Sequence, residues 1–358
     1  MDTGTARARG GGFKVGDGRA RWTGGGKGEA GGGTSGLWTG GTPTKGGVID
    51  ADGVILAKGR KDTPAHDPAA IVEEAGTLIR ELSVGRKIDA VGVACAAYIN
   101  RSGSLVYFSP NLAWRDEPLK ARLESAVDLP VIIENDANAA AWGEFRFGAA
   151  AEVDDIVMVT VGTGIGGGVV VEGVLMRGAF GVAAELGHMR VVPDGRRCGC
   201  GNRGCWEQYA SGTALVREAR ELVASGTPHA ARLSELCAGN PAALTGPDVT
   251  RAAVEGDPAA VELLADLGRW IGEGAASVAA ILDPALIVLG GGVSDAGAKL
   301  LDPARAAFRL QITARRHRPD TRLVLAGRGN DGGLTGDAAV PAPGAPSTTT
   351  IPHRIPTG

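Results

Sequence analysis

Three of the five cysteines in the 358-residue chain, Cys198, Cys200 and Cys205, fall in one stretch, GHMRVVPDGRRCGCGNRGCWE, from Gly187 to Glu207. His188 precedes them and Glu207 closes the stretch. One imidazole and three thiols spaced His-x9-Cys-x-Cys-x4-Cys form a donor set that tetrahedral structural zinc takes. Arg196, Arg197 and Arg203 stand close enough in sequence to help keep the sulfurs ionised. A redox site fits less well, since thiol exchange ordinarily uses Cys-x-x-Cys. A reduced, metal-free cluster would leave a Gly-rich loop with nothing to order it. The expectation is zinc on His188, Cys198, Cys200 and Cys205. Glu185 and Glu207 flank the cluster without being needed as ligands, and carboxylates beside a rigid knot suit substrate hydroxyls as hydrogen-bond acceptors.

A second group of chemical interest is Glu134-Asn135-Asp136, directly after the apolar run PVII. A carboxylate at a strand end can cap the helix that follows or face a cleft as a base; the residues alone leave both open. Two Gly-rich turns could meet phosphate. VTVGTGIGGG holds Gly162, Thr163 and Gly164 between two apolar strands, and LIVLGGGVSD holds Gly290, Gly291 and Gly292 where a strand opens into a helix. Glycines let the backbone approach an anion and expose N–H groups to it, although a ligand-free tight hairpin remains open for each. Neither turn ends in Gly-Lys-Ser/Thr, so a bound ATP would not sit in a P-loop.

The elements that must position these groups alternate. GGVIDADGVILAKGRKDT reads as a hairpin, PAAIVEEAGTLIRELS as an amphipathic helix, and IDAVGVACAAYI and PVIIEND as strands. NAAAWGEFRFG reads as a helix, and DDIVMVTVGTGIGGGVVVEGVLM as strand, turn and strand. Helical blocks are expected near 212–224 and 248–282, and TRLVLAG is a last strand. This order predicts an α/β protein of two halves. Residues 1–46 are Gly-rich without period and are expected to be disordered. Residues 47–136 and 137–325 form two α/β domains, and 326–358 a Pro- and Thr-rich tail. With 37 basic and 40 acidic residues, net charge −3, there is no electrostatic case for nucleic acid or an anionic membrane. No apolar run approaches a membrane span, no secretory signal is apparent, and the few clustered cysteines fit a reduced cytoplasm.

Together, ENDANAAAWGE, VTVGTGIGGG, AAELGHMRVVPDGRRCGCGNRGCWEQYASG, DPALIVLGGGVS and SPNLAWRDEPLK resemble the ROK family of sugar kinases, repressors and related proteins, over about 46–336. The likeness is strongest to the branch from high-GC Gram-positive bacteria. It implies an actin-like ATPase (ribonuclease H-like) fold with a zinc loop, two domains closing on a sugar and Mg²⁺·ATP. It implies ATP-dependent phosphorylation of a hexose, glucose first, with N-acetylmannosamine or fructose as alternatives. It makes Asp136 the general base and sets Asn111, Asn135, Glu185, His188 and Glu207 around the sugar. Thr163 and its glycines would meet the ATP phosphates, and Gly290–Gly292 the adenosine. A homodimer or homotetramer is implied.

The chain also departs from the family. The first phosphate motif, Asp-x-Gly-Gly-Thr-Lys, keeps Gly40, Gly41 and Thr42, but Trp38 stands for the Asp and Pro43 for the Lys, with Lys45 two residues late. Loss of an aspartate that helps hold Mg²⁺ and phosphate costs transition-state stabilisation, so a catalytically impaired sugar- and zinc-binding protein is the alternative. The Gly/Arg-rich strings upstream read as GC-rich coding sequence out of frame. Ala97 replaces a loop glycine and could crowd the sugar. The terminal helix that relatives pack on the first domain is expected to be missing.

Overall fold

The computed structural model describes residues 33–38, 44–329 and 332–340. Gly40, Gly41, Thr42 and Pro43, and most of the Gly-rich and Pro-rich ends, lie outside the described residues. The first half runs β1 (Gly33–Trp38), β2 (Thr44–Ile49), β3 (Ile55–Lys61), α1 (Pro68–Ser83), β4 (Ile88–Cys95), β5 (Tyr98–Ile99), β6 (Val106–Phe108), β7 (Arg115–Glu117), α2 (Leu119–Val127) and β8 (Val131–Asn135). Helix α3 (Asp136–Phe147) follows. The second half runs β9 (Ile156–Val161), β10 (Ile165–Val171), β11 (Val174–Leu175), α4 (Glu207–Ala210), α5 (Gly212–Ala224), α6 (Ala231–Leu236), α7 (Gly246–Glu255), α8 (Pro258–Leu282), β12 (Leu286–Gly290), α9 (Ala298–Gln311), β13 (Arg322–Leu325) and α10 (Gly332–Asp337).

The two halves repeat one plan. The sheets are ordered β3-β2-β1-β4-β8 and β11-β10-β9-β12-β13, and β5-β6-β7 forms a small third sheet. In each large sheet an antiparallel three-strand meander continues into two parallel strands. Local signals set the boundaries. Asp67 Oδ1 accepts from the N–H groups of Ala69 and Ala70 and caps α1, whose Ile71, Val72, Ala75, Leu78, Ile79 and Leu82 are buried at helical spacing. Gly256, in the left-handed region at φ +94°, splits the block expected near 248–282 into α7 and α8.

Two expectations are corrected. Residues 33–38 are not part of a structureless segment: β1 is the middle strand of the first sheet. Its sequence, GTSGLW, is not an apolar strand, but β2 on one side and β4 on the other pair with its backbone, and a ladder on both edges satisfies main-chain groups whatever the side chains are. The stretch after 325 also holds structure. Helix α10 packs on α3, Trp142 Nε1 donates to the Ala339 carbonyl at 2.7 Å, and Val340 is buried.

Helix α3 is enclosed by both halves. Every residue from Ala137 to Phe145 is buried, and one apolar cluster joins Ala94 of the first sheet, Ala139, Ala140, Ala141 and Trp142 of α3, and Ile156, Met158, Val170 and Val288 of the second sheet. The small residues of α3 meet glycines of β10. A Cβ on Gly166 would lie 2.8 Å from Ala137 Cβ, and one on Gly168 2.5 Å from Ala141 Cβ and 2.7 Å from the Ala137 carbonyl. On the opposite face, a Cβ on Gly167 would lie 2.3 Å from the Ala184 carbonyl. Gly168→Val is expected to destabilise the fold by about 1–3 kcal/mol or more through overpacking; an unchanged thermal midpoint would show that the helix can retreat from the strand.

Candidate active site

Asp136 is the first residue of α3 and does not cap it. Asn135 does: its Oδ1 accepts from Ala137 N (2.9 Å) and Asn138 N (3.1 Å), and its Nδ2 donates to the Ala97 carbonyl (3.3 Å). The Asp136 carboxylate accepts from the neighbouring Ala137 N–H at 3.0 Å. Burial pushes its carboxyl above the ordinary value, and that N–H offsets the shift only in part. Glu134 is turned the other way, buried against Arg177 at 2.6 Å. The two readings of the strand end thus divide between residues: the amide caps, and the raised carboxyl stays available as a base.

Glu185 lies exposed just before the 3₁₀ turn Leu186–His188. Partial burial raises its carboxyl; His188 opposes the rise, and the Asp136 and Glu207 carboxylates add to it. The structure therefore brings Glu185 within electrostatic reach of Asp136, His188 and Glu207, and His188 Nδ1 lies 3.8 Å from Glu207 Oε1. Tyr98 of β5 joins them from the first half: burial, and then the charges of Glu185, Cys200, Glu207 and Cys198, push its phenol up to about 12. Sequence reasoning missed Tyr98, which has no motif.

The ligand atoms of His188, Cys198, Cys200 and Cys205 all lie within 4.8 Å of one another. Cys198 Sγ is 3.6 Å from His188 Nδ1, and Cys200 Sγ is 3.6 Å from Cys205 Sγ. A tetrahedral ion with sulfur at about 2.3 Å and nitrogen at about 2.05 Å separates its ligand atoms by roughly 3.6–3.8 Å, so the donor set fits zinc in number and type, and these two pairs fit it in spacing. The second sulfur pair is far beyond an S–S bond of about 2.05 Å. The arginines do not serve the sulfurs as expected: Arg196 pairs with Glu218 and Glu221, and Arg203 Nη1 donates to the Gly195 carbonyl. Cys198 Sγ instead donates to Glu207 Oε1 at 3.0 Å. Trp206, between Cys205 and Glu207, is fully buried; its Nε1 donates to the Trp270 carbonyl, and its ring fills a notch at Gly274 where a Cβ would lie 2.1 Å away. This anchor to α8 was also missed, and a glycine inside a long helix was its one signal.

The two Gly-rich turns open on one cavity of ≈ 1000 Å³, lined by Gly162, Thr163, Gly292 and residues of α5 and α7. Gly212 N donates to the Gly162 carbonyl, and Thr213 Oγ1 to the Thr163 carbonyl, fixing the first turn on α5. Of the three glycines in the second turn only Gly292 lines the cavity, followed there by Val293 and Asp295. Gly290 ends β12 and packs on Met158, and Gly291 (φ +85°) sits against the Val161 carbonyl. Gly164 bridges toward the carboxylates, since a Cβ there would lie 2.6 Å from Glu207 Oε2. Gly164, which follows the cavity-lining Gly162 and Thr163 in the chain, thus stands against Glu207.

Asn111 is exposed in the β6–β7 connection. That connection is tied to the strand-end loop: Ser109 Oγ donates to the Ala96 carbonyl, next to the buried Ala97 that receives Asn135 Nδ2. Trp38 ends β1 in register with Ala94, which is itself in register with Glu134. Trp38 is therefore at the end of the middle strand, two strands from Glu134. Among the described residues no helix is long and apolar enough to cross a membrane.

The ROK family model matches residues 34–342, and the chain belongs to that family. The glucokinase of Streptomyces coelicolor is 46% identical over 306 residues, covering 85% of this chain and 96% of that protein. The structure of a ROK family glucokinase from Streptomyces griseus, in complex with glucose and AMPPNP, superposes with a TM-score of 0.80 at 46% identity, covering 86% of this chain and 98% of that one. The ROK hexokinase from Thermus thermophilus superposes with a TM-score of 0.70 at 33% identity, covering 86% and 96%.

The raised Asp136 carboxyl carries a stability cost. Its folded-state value lies above the unfolded 3.8, so its contribution to stability is full below the unfolded value and is lost as pH rises through the folded value. Asp136→Asn is expected to raise the thermal midpoint at about pH 8, with the gain vanishing near pH 4. A gain of equal size at both pH values would mean that burial of the charge is not its source.

Proposed function

We propose that this chain phosphorylates a hexose with ATP, converting glucose to glucose 6-phosphate. The observation that carries this reading is a buried carboxyl of raised affinity for protons, Asp136, within electrostatic reach of Glu185, an acceptor suited to sugar hydroxyls, in a chain that also holds a cavity large enough for a nucleotide beside Gly162 and Thr163. The relatives named glucokinase support glucose as the sugar. The repeated sheet order supports an actin-like ATPase architecture closing on the substrates.

In this reading Asp136 takes the proton of the sugar's primary hydroxyl as that oxygen bonds to the γ-phosphorus and the bond to the ADP oxygen breaks. Such a transition state asks the protein chiefly for position and charge. Asn135 holds the turn rigid with its Oδ1 and has one further amide hydrogen to offer. Glu185, Glu207 and Asn111 would bind other hydroxyls, with His188 turning its Nε2 to the sugar. Gly162, Thr163 and Gly164 would receive the phosphates, and Gly292 the nucleoside side. His188 Nδ1, Cys198, Cys200 and Cys205 would hold a structural zinc ion, which would replace the Cys198 proton and leave Glu207 Oε1 to the sugar. Magnesium bound with ATP would neutralise charge developing on the phosphates; Trp38 offers it no oxygen.

A coupled assay with glucose, fructose and N-acetylmannosamine, and with ATP or polyphosphate, tests the proposal. Sugar-dependent ADP release is expected to be greatest with glucose and to fall on the order of 10²-fold or more in Asp136→Asn; undiminished turnover in that variant would remove the base assignment.

The identity of Trp38 favours a second reading, a sugar- and zinc-binding protein impaired in phosphoryl transfer. It predicts that Trp38→Asp with Pro43→Lys raises kcat on the order of 10²-fold while glucose affinity stays as in the parent. An unchanged kcat would show that the phosphate side works without those groups.

A further inference from the structure

One buried ion pair joins the two halves beside the reacting groups. Arg177 Nε donates to Glu134 Oε2 at 2.6 Å, with the side chains only 14% and 5% exposed. Glu134 stands on β8, two residues before Asp136. Its other oxygen accepts from Asn135 N and from Asn138 Nδ2, both at 3.0 Å. One carboxylate therefore fixes the turn on which the base stands.

Arg177, beyond β11, opens the loop that ends in Glu185 and His188. Ala183 N donates to the Arg177 carbonyl at 3.2 Å and closes 177–183 on itself. Gly181, at φ +93°, lies against the backbone of the first half; a Cβ there would be 2.3 Å from the Ile99 carbonyl and 2.5 Å from Arg101 N. The loop bearing the sugar-side carboxylate is thus pinned to the first half twice, by close contact at Gly181 and by charge at Arg177.

We propose that Glu134 and Arg177 are positioning residues, whose pair sets Asp136 and Glu185 at the separation that lets both act on one sugar ring. The inference rests on the hexose reading above. An apolar contact at this place would let the loop slide, whereas a charge-assisted hydrogen bond fixes both distance and direction. A buried pair of this kind adds little net stability over an apolar one, so its distinguishing effect is geometric. The lining of the nucleotide-sized cavity includes neither residue, so the pair should act on the sugar and not on the nucleotide.

The test is the double variant Glu134→Gln/Arg177→Met in the full chain, which removes both charges of the pair and keeps an acceptor for Asn135 N. Glucose and AMPPNP binding are measured separately by calorimetry, with the thermal midpoint alongside. Glucose is expected to bind on the order of tenfold or more weaker, AMPPNP to stay within about twofold of the parent, and Arg177→Lys to fall between parent and double variant. Glucose affinity within about twofold of the parent would overturn the proposal. So would equal weakening of both ligands with a lowered midpoint, which would make the pair general support for the fold. A parent chain that does not bind glucose would instead refute the hexose reading, and this inference with it.

Discussion

The active site depends on the missing side chains of β10. Gly166 and Gly168 on one face let α3 lie against the strand at a distance any Cβ would forbid, and Gly167 on the other lets the Ala184–Leu186 segment do the same. One three-residue run thereby receives the helix that begins with Asp136 and the segment that carries Glu185 and leads to His188. Close packing tolerates little adjustment, so the placement of Asp136 relative to Glu185 and His188 is set at this strand. The glycines of this hairpin therefore divide by role: Gly162 lines the cavity with Thr163 and Gly164 meets Glu207, while Gly166 to Gly168, to which sequence reasoning gave no role, support the frame.

The second determinant is a set of anchors that turn loops into fixed parts. The Cys-rich loop has few apolar residues of its own. Trp206 ties it to α8 through the Gly274 notch, and Trp206 N donates to the Met189 carbonyl at 2.8 Å, drawing the His188 side of the loop to the Cys205 side. A metal on the four ligands would complete what these contacts begin. The Glu207 carboxylate gains its place from both, since it follows the buried indole and abuts Gly164.

Much of this was legible in the sequence. The His/Cys spacing named the four residues whose ligand atoms cluster, the strand-to-helix join located Asp136, and the apolar periodicity placed most elements, with α5 spanning the expected 212–224. What escaped was non-local. Strand β1 has no apolar pattern and is held by ladders on both edges. Helix α10 contains three glycines within Gly332–Asp337, a composition of low helix propensity, yet Gly336 permits an approach to the Ala139 carbonyl that would put a Cβ 1.7 Å away. Trp206 and Gly274 are far apart in the chain, and nothing local to either announces their fit. Tyr98 enters the site only because β5 folds toward the other half.

The enclosure of α3 also fixes when that helix can be completed during synthesis. Its walls come from β4, β9, β10 and β12, and its last covering comes from Ala339 on Trp142, Val340 in the same apolar cluster, and the Gly327 and Arg328 N–H groups on the buried Glu144 carboxylate. These closing groups leave the ribosome after almost all of the chain. A nascent chain can therefore assemble its first sheet early, but Asp136 acquires its final surroundings only once residues 327–340 have emerged, and any product lacking them would carry Asp136 on a helix still open to water.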